Sequence, residues 1–162
     1  MSVLYLHNGI VSNVKITIIS VGTKPDSNYL TLIESYTKRL PDNIQLNWKY
    51  IKSGPSDVQT SMRKESESIL RAIPKKSRII LLDETGQQKT STELAIDFFG
   101  LSKDVTFIIG GSHGVHNDVK AISDYIWSLG KLVFPHQLVR LILTEQIYRA
   151  YSISIDHPYH HK

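Results

Sequence analysis

The sequence predicts an α/β fold, a parallel sheet with helices on both faces. Apolar, β-branched runs alternate along the chain with stretches whose apolar residues recur at helical spacing. The run Ile79-Ile80-Leu81-Leu82 is continuously apolar, as a strand covered on both faces is. In Phe107-Ile108-Ile109-Gly110-Gly111-Ser112-His113-Gly114 a strand breaks into glycines, which let a ligand approach the backbone closely. Open α/β sheets collect their ligands at that place, beyond the carboxyl ends of the strands.

The elements follow in order. Residues 1–13 show scattered apolar positions and Asn8-Gly9, and are read as an N-terminal extension outside the fold. Residues 14–162 are read as a single domain. Val14 to Val21 is mostly β-branched and closed by Gly22, which predicts a strand. Asp26 or Ser27 can cap a helix carrying Tyr29, Ile33, Tyr36 and Leu40, with Pro41 stopping it. Ile44, Leu46, Trp48 and Tyr50 alternate as in a strand. After the turn Ser53-Gly54-Pro55, Ser56 opens a largely polar surface helix with Val58, Met62, Ile69 and Ile73 on one side. Arg78 to Asp83 is the third strand, and Gly86 marks a loop. Thr90-Ser91-Thr92-Glu93 has capping-box spacing for a helix reaching Phe99 and ended by Gly100. Val105 to Ile109 is the fourth strand and Asn117 to Ser123 a short helix. Tyr125 to Pro135 is apolar, interrupted by Gly130, and too short for two ordinary elements. Leu138 to Ile155 is a long last helix before the polar tail Asp156 to Lys162.

That last helix is apolar nearly all round, so it must be buried on more than one side. Either a second subunit covers its far side, or it is the central helix of a monomer. At 162 residues, with 41% hydrophobic and 21% charged side chains, the chain has the makeup of one soluble domain. No apolar run approaches the roughly 20 residues that span a bilayer, and the N-terminus lacks signal-peptide regions. The absence of cysteine removes disulfides and thiolate metal sites, which fits a cytoplasmic protein. A net charge of +4 permits an anionic partner such as RNA without establishing one.

Gly110 to Gly114 also fits G-x-S-x-G, the nucleophile elbow of α/β-hydrolases, with Ser112 as nucleophile. Asp118, Asp124 or Glu145 would supply the acid and His136 or His157 the imidazole. The pattern is easily met by chance among glycines, and about five strands are few for that fold. His157, His160 and His161 have no acidic partner at ligand spacing and read as a polar tail, with no metal expected. Glu145 and Arg149, four apart, read as a helix-supporting pair. Arg140 differs: a charge in an apolar segment just after Pro135-His136 needs a partner, a ligand or a subunit boundary.

Leu82-Asp83, Ile109-Gly110-Gly111-x-x-Gly114, Trp127-Ser128-Leu129, Phe134-Pro135-His136-Gln137-Leu138-Val139-Arg140, Thr144 to Ala150 and His157-Pro158-Tyr159-His160 carry a resemblance in order. From Val14 onward the chain resembles the ribosomal RNA large subunit methyltransferase H family. These SPOUT-class enzymes methylate N3 of a pseudouridine in 23S ribosomal RNA. The resemblance implies a SPOUT-type parallel sheet with a C-terminal trefoil knot, S-adenosyl-L-methionine as methyl donor, a homodimer, and the assembled ribosome as partner. It implies cofactor contacts at Leu82, Gly111, Gly130, Lys131, Leu132, Val133, Phe134 and Pro135. His136, Arg140, Tyr159 and His160 are the candidates for stabilising a deprotonated uracil-like ring, their individual roles left open. A non-catalytic RNA- or ribosome-binding protein of the same fold is the alternative, and the Ser112 hydrolase stands behind it.

Overall fold

A computed structural model describes residues 13–100 and 103–161; the reading of residues 1–13 as an extension lies, apart from Asn13, outside the described residues. Among the described residues five strands form one sheet: β1 (Val14–Val21), β2 (Ile44–Ile51), β3 (Arg78–Gln87), β4 (Val105–Ile109) and β5 (Tyr125–Trp127). Their order is β2-β1-β4-β3-β5 and every pair is parallel. Ser20 lies opposite Ile109 and Leu82 opposite Ile109 on the other side, so the β1–β4 and β4–β3 pairings end at one edge. β4 sits between β1 and β3, so the crossovers reverse direction there, at the kind of switch point where a crevice opens.

The helices are α1 (Ser27–Thr37), α2 (Val58–Ala72), α3 (Ser91–Phe99), α4 (Asn117–Ala121) and α5 (His136–Ser154). Strand alternation divides the core between two faces. Ile16, Ile18, Ile80, Phe107 and Ile109 pack with Leu94 and Phe98 of α3 and Leu143, Ile147 and Ala150 of α5. Ile19, Leu81 and Ile108 point the other way, to Ile69 of α2 and Val119 of α4. The Phe98 ring meets Phe107 edge-on at 4.9 Å, locking α3 onto β4.

Local chemistry explains the boundaries. Asp26 Oδ1 accepts from Asn28 N and Tyr29 N, so Asp26 rather than Ser27 caps α1. The capping box at Thr90 and Glu93 forms as the spacing predicts. α2 departs from expectation: Asp57, not Ser56, caps it, by accepting from Thr60 N at 2.8 Å. Its inward side is Ser61, Glu65, Ser66 and Ile69, while Val58 is exposed. β3 also runs beyond the expected Asp83, with a register break against β5 between Leu82 and Gln87. Gly86 belongs to that bulge, where a Cβ would stand 2.6 Å from Ile126 O. The last helix begins at His136, two residues earlier than the pattern suggested.

Candidate active site

Where the strands end, their loops enclose a cleft of about 460 Å³. Leu82 and Asp83 of β3 form one wall, Gly110 to Val115 after β4 the floor, and Leu129, Gly130, Leu132, Val133 and Phe134 after β5 the other wall. Leu132 is 70% and Val133 82% exposed, so this wall is an apolar loop turned partly to solvent. The Gly110–Gly114 loop turns back on itself: Gly114 N–H donates to Gly111 O at 3.0 Å, with Gly114 at φ 78°. Ser128 Oγ donates to Gly130 O at 2.8 Å and accepts from Gly130 N, which fixes the bend into the second loop.

A smaller hollow of about 250 Å³ adjoins the cleft, lined by Val21, Gly22, Thr23, Lys24, Ser53, Gln137 and Arg140. Gly111, Ser112 and His136 line both spaces, so the two meet there. Arg140 is 3% exposed and has no carboxylate partner among the described residues. Its Nε donates to Ser20 Oγ at 2.8 Å, Nη1 to Thr23 O at 2.7 Å and Nη2 to Val21 O at 2.9 Å. Its guanidinium also lies 5.4 Å from the Tyr50 ring centroid. These bonds tie the first turns of α5 to the end of β1 and leave two of the five guanidinium N–H groups for the hollow. Gln137 Oε1 accepts from Asp26 N at 2.8 Å, joining the same turn to the cap of α1.

The electrostatics follow from burial. His136 is pushed below its ordinary value, first by burial and then by the Arg140 charge, with Glu65 pulling the other way. Burial lowers the Arg140 value and raises that of Tyr50, each opposed by the other's charge or potential charge. At Asp83 burial works against the carboxylate, but hydrogen bonds from Thr85 and Lys120 outweigh it and hold the group low.

Of the residues singled out from the sequence, Leu82, Gly111, Gly130, Leu132, Val133 and Phe134 line the cleft. Lys131 and Pro135 are exposed and stand outside that lining, Pro135 serving as the residue before α5. His136 lies at the junction and Arg140 in the hollow. Tyr159 and His160 are elsewhere. The Tyr159 hydroxyl donates to Glu145 Oε1 at 2.9 Å, its ring meets Tyr148 at 4.8 Å, and Arg149 lies over it. Arg149 in turn pairs with Glu145 and approaches His160 Nδ1 at 3.5 Å. This cluster occupies the far half of α5, a helix roughly 28 Å long, from the end that carries His136. Glu65 was missed by the sequence reading, because a carboxylate in a polar helix reads as solvated.

The hydrolase constellation does not assemble. Ser112 is exposed and makes no hydrogen bond to a histidine or carboxylate among the described residues, and two loop residues separate Gly114 from α4. Among the described residues no cluster of histidine, aspartate or glutamate could hold a metal, and no helix is long and apolar enough to cross a membrane.

A protein family described as predicted SPOUT methyltransferase matches residues 14–160, nearly the whole chain. The chain belongs to the SPOUT methyltransferases. Among its SPOUT relatives is the ribosomal RNA large subunit methyltransferase H of Legionella pneumophila (strain Paris), 41% identical over 153 residues, 90% of this chain and 98% of that one. The proteins of the same name from Burkholderia cenocepacia (strain HI2424) and Polynucleobacter asymbioticus are 37% and 38% identical, with the same coverage of both chains. A solved structure, a probable methylase family protein from Haemophilus influenzae Rd KW20, aligns with a TM-score of 0.53 over 92% of this chain and 69% of its own. At 11% identity it shares the SPOUT fold alone. As a SPOUT methyltransferase the chain is an enzyme that uses a methyl donor.

Proposed function

We propose that this enzyme methylates N3 of a pseudouridine in 23S ribosomal RNA of the large subunit, using S-adenosyl-L-methionine and working as a homodimer on the assembled ribosome in the cytoplasm. The observation that carries it is the junction at Gly111 and His136, where a glycine-floored cleft meets a hollow holding Arg140 and Lys24. Relatives with this chain's length and about two-fifths of its sequence are named for methylating large-subunit ribosomal RNA.

The cleft fits the donor. A volume of about 460 Å³ lies within the range of small-molecule sites. The floor is a cradle that side chains would fill: a Cβ on Gly110 would stand 2.8 Å from Val115 Cγ1. Leu82, Leu132, Val133 and Phe134 give an apolar slot for adenine, with loop backbone groups at its edges. When bound, S-adenosylmethionine supplies a sulfonium methyl group, the S–C bond breaking as an N–C bond forms and the sulfur keeping the electron pair.

The remaining work falls to this chain's residues. N3 must lose its proton, and the negative charge left on the ring spreads onto its two carbonyl oxygens. Arg140 and Lys24 in the hollow offer cationic donors to that charge, and Arg140 is held in place before the reaction by Ser20, Thr23 and Val21. His136, kept neutral near pH 7 by burial and by Arg140, is able to accept a proton at the junction. Tyr159 and His160 act in this reading from the partner subunit.

The test is methylation of large-subunit particles lacking the modification, with labelled S-adenosylmethionine and mapping of the modified nucleotide. Label on a pseudouridine N3 of 23S RNA is expected. A non-catalytic ribosome-binding protein would bind the particles and transfer nothing. A chain that S-adenosylmethionine fails to stabilise against heat would remove the donor from the reading.

A further inference from the structure

Glu65 is a buried carboxylate with no ion-pair partner among the described residues. It lies on the inward side of α2, 8% exposed. One oxygen is occupied: Gly54 N–H and the Ser61 hydroxyl both donate to Oε1, each over 2.8 Å. The other, Oε2, receives no hydrogen bond from any described residue, and no described lysine, arginine or histidine forms an ion pair with Glu65. That oxygen faces Gly111, where an added Cβ would stand 2.5 Å from it. Gly111 lines both the cleft and the hollow, and so does His136, which feels the charge of Glu65.

Taking a carboxylate out of water is costly unless a cation or a full set of hydrogen bonds compensates. Two donors on one oxygen compensate in part, and the second oxygen is left with a strong acceptor and nothing to accept. The acidic groups that line the cleft are in a different position. Asp83 is paired with Lys120 at 3.1 Å and takes the Thr85 hydroxyl, while Glu84 is exposed. A cation brought by the ligand would complete Glu65.

We infer that Glu65 determines the charge specificity of the cleft, its free oxygen at Gly111 favouring a cationic sulfur over a neutral one. The inference rests on S-adenosylmethionine being the donor: its sulfonium is positive, whereas the thioether left after transfer is not. Glu65 meets the junction at Gly111, and Arg140 with Lys24 line the hollow, so the junction has an anion for the donor's charge and cations for the deprotonated ring. Transfer cancels the donor charge, so the attraction that Glu65 contributes disappears with the methyl group, and the spent product is held less tightly than the donor.

Calorimetric titration of the full-length protein with S-adenosylmethionine and with S-adenosylhomocysteine tests this. Glu65→Gln keeps an oxygen for Gly54 and Ser61 and removes only the charge. A counter-charge near the site is worth a factor of about ten in affinity, so the variant is expected to bind S-adenosylmethionine about tenfold more weakly and S-adenosylhomocysteine within about twofold of the parent. Glu65→Asp, which keeps the charge, is expected to retain the parent's preference for the sulfonium ligand even where both affinities drop. Equal losses for both ligands in Glu65→Gln, or no loss for either, would overturn the inference and leave Glu65 as a tie between Gly54 and α2. If the parent itself binds neither ligand, the donor assignment fails, a result distinct from a parent that binds both and a variant that does not discriminate.

Discussion

A Cβ added at Gly111 would stand 2.5 Å from Glu65 Oε2 and 3.4 Å from Val21 Cγ1, so close packing, rather than a positive φ, requires glycine here. Gly111→Val is therefore expected to push Glu65 aside and fill the floor of the cleft, abolishing S-adenosylmethionine binding in calorimetry. Overpacking of this kind costs about 1–3 kcal/mol, so the variant is expected to stay folded. Normal ligand binding by the variant would show that the site lies elsewhere. His136 supplies a second test at this scale. Its folded value lies below the ordinary 6.5, so between the two the unfolded chain holds a proton that the folded chain does not. Its contribution to stability is complete above 6.5 and is lost as pH falls from there to the folded value. His136→Gln should accordingly show a shallower fall in melting temperature between about pH 7.5 and about pH 5 than the parent. Parallel melting curves would mean that His136 is not buried as the structure has it. Gly111 and Arg140 drew notice in the sequence because each is a residue type out of place, a glycine ending a strand and a charge among aliphatic residues; His136 entered through the resemblance. Glu65 did not, since only the fold reveals that Gly54 and Gly111 meet it.

Among the elements, β1, β2 and β4 were legible from branched or alternating side chains, and α1 and α3 from their caps. β3 was cut short because Thr85 and Gly86 read as loop, and only the β5 neighbour makes them a bulge. The strand order was not legible at all, because nothing local in β4 says that it inserts between β1 and β3. α5 gives the most useful correction. Its apolar circumference pointed to two buried sides, which made every apolar position on it, Ile147 included, a candidate for a subunit boundary. Ile147 is instead fully enclosed by its own chain, with Leu143 and Ala150 in the core beneath the sheet. Leu138, Leu141 and Ile142 form a different stripe, half-buried and packed into neither core cluster. Leu30 and Leu32 of α1 are also exposed, 37% and 48%. If a second subunit covers the α5 stripe, Ile142→Asp strands a charge in the interface and should turn the dimer into a folded monomer in sedimentation, at a cost of several kcal/mol of association. A parent that sediments as a monomer at micromolar concentration would leave the stripe uncovered and the homodimer wrong.

At the scale of the whole molecule the difficulty is distance. His136 and Arg140 occupy the first turns of α5, whereas Tyr159 and His160 fold back on Glu145, Tyr148 and Arg149 at and just beyond its middle. Glu145 stands nine residues, about 13 Å of rigid helix, beyond His136, so a tail anchored on it is held away from the cleft of its own chain. A two-fold dimer in which the α5 stripes pack against one another in antiparallel fashion would remove the difficulty, because the tail end of one helix then lies beside the cleft end of the other. Burial, together with hydrogen bonding to Tyr36 and Glu145, raises the Tyr159 hydroxyl well above the usual phenol range, so in this reading it serves as a hydrogen-bond donor rather than as a base. A chain ending at Asp156 is then expected to dimerise and bind S-adenosylmethionine nearly as the parent does, yet to leave ribosomes unmethylated. Gly111→Val has the opposite defect, a sound tail with a closed cleft. Refolded together in equal amounts, the two should form heterodimers in which one sound tail meets one sound cleft, restoring about a quarter of the parent's working sites if subunits pair at random. Recovery of methylation by the mixture, with each variant inactive alone, is the expected result. If the heterodimer forms and stays inactive, the tail serves its own subunit, and Tyr159 would have to leave Glu145 to do so.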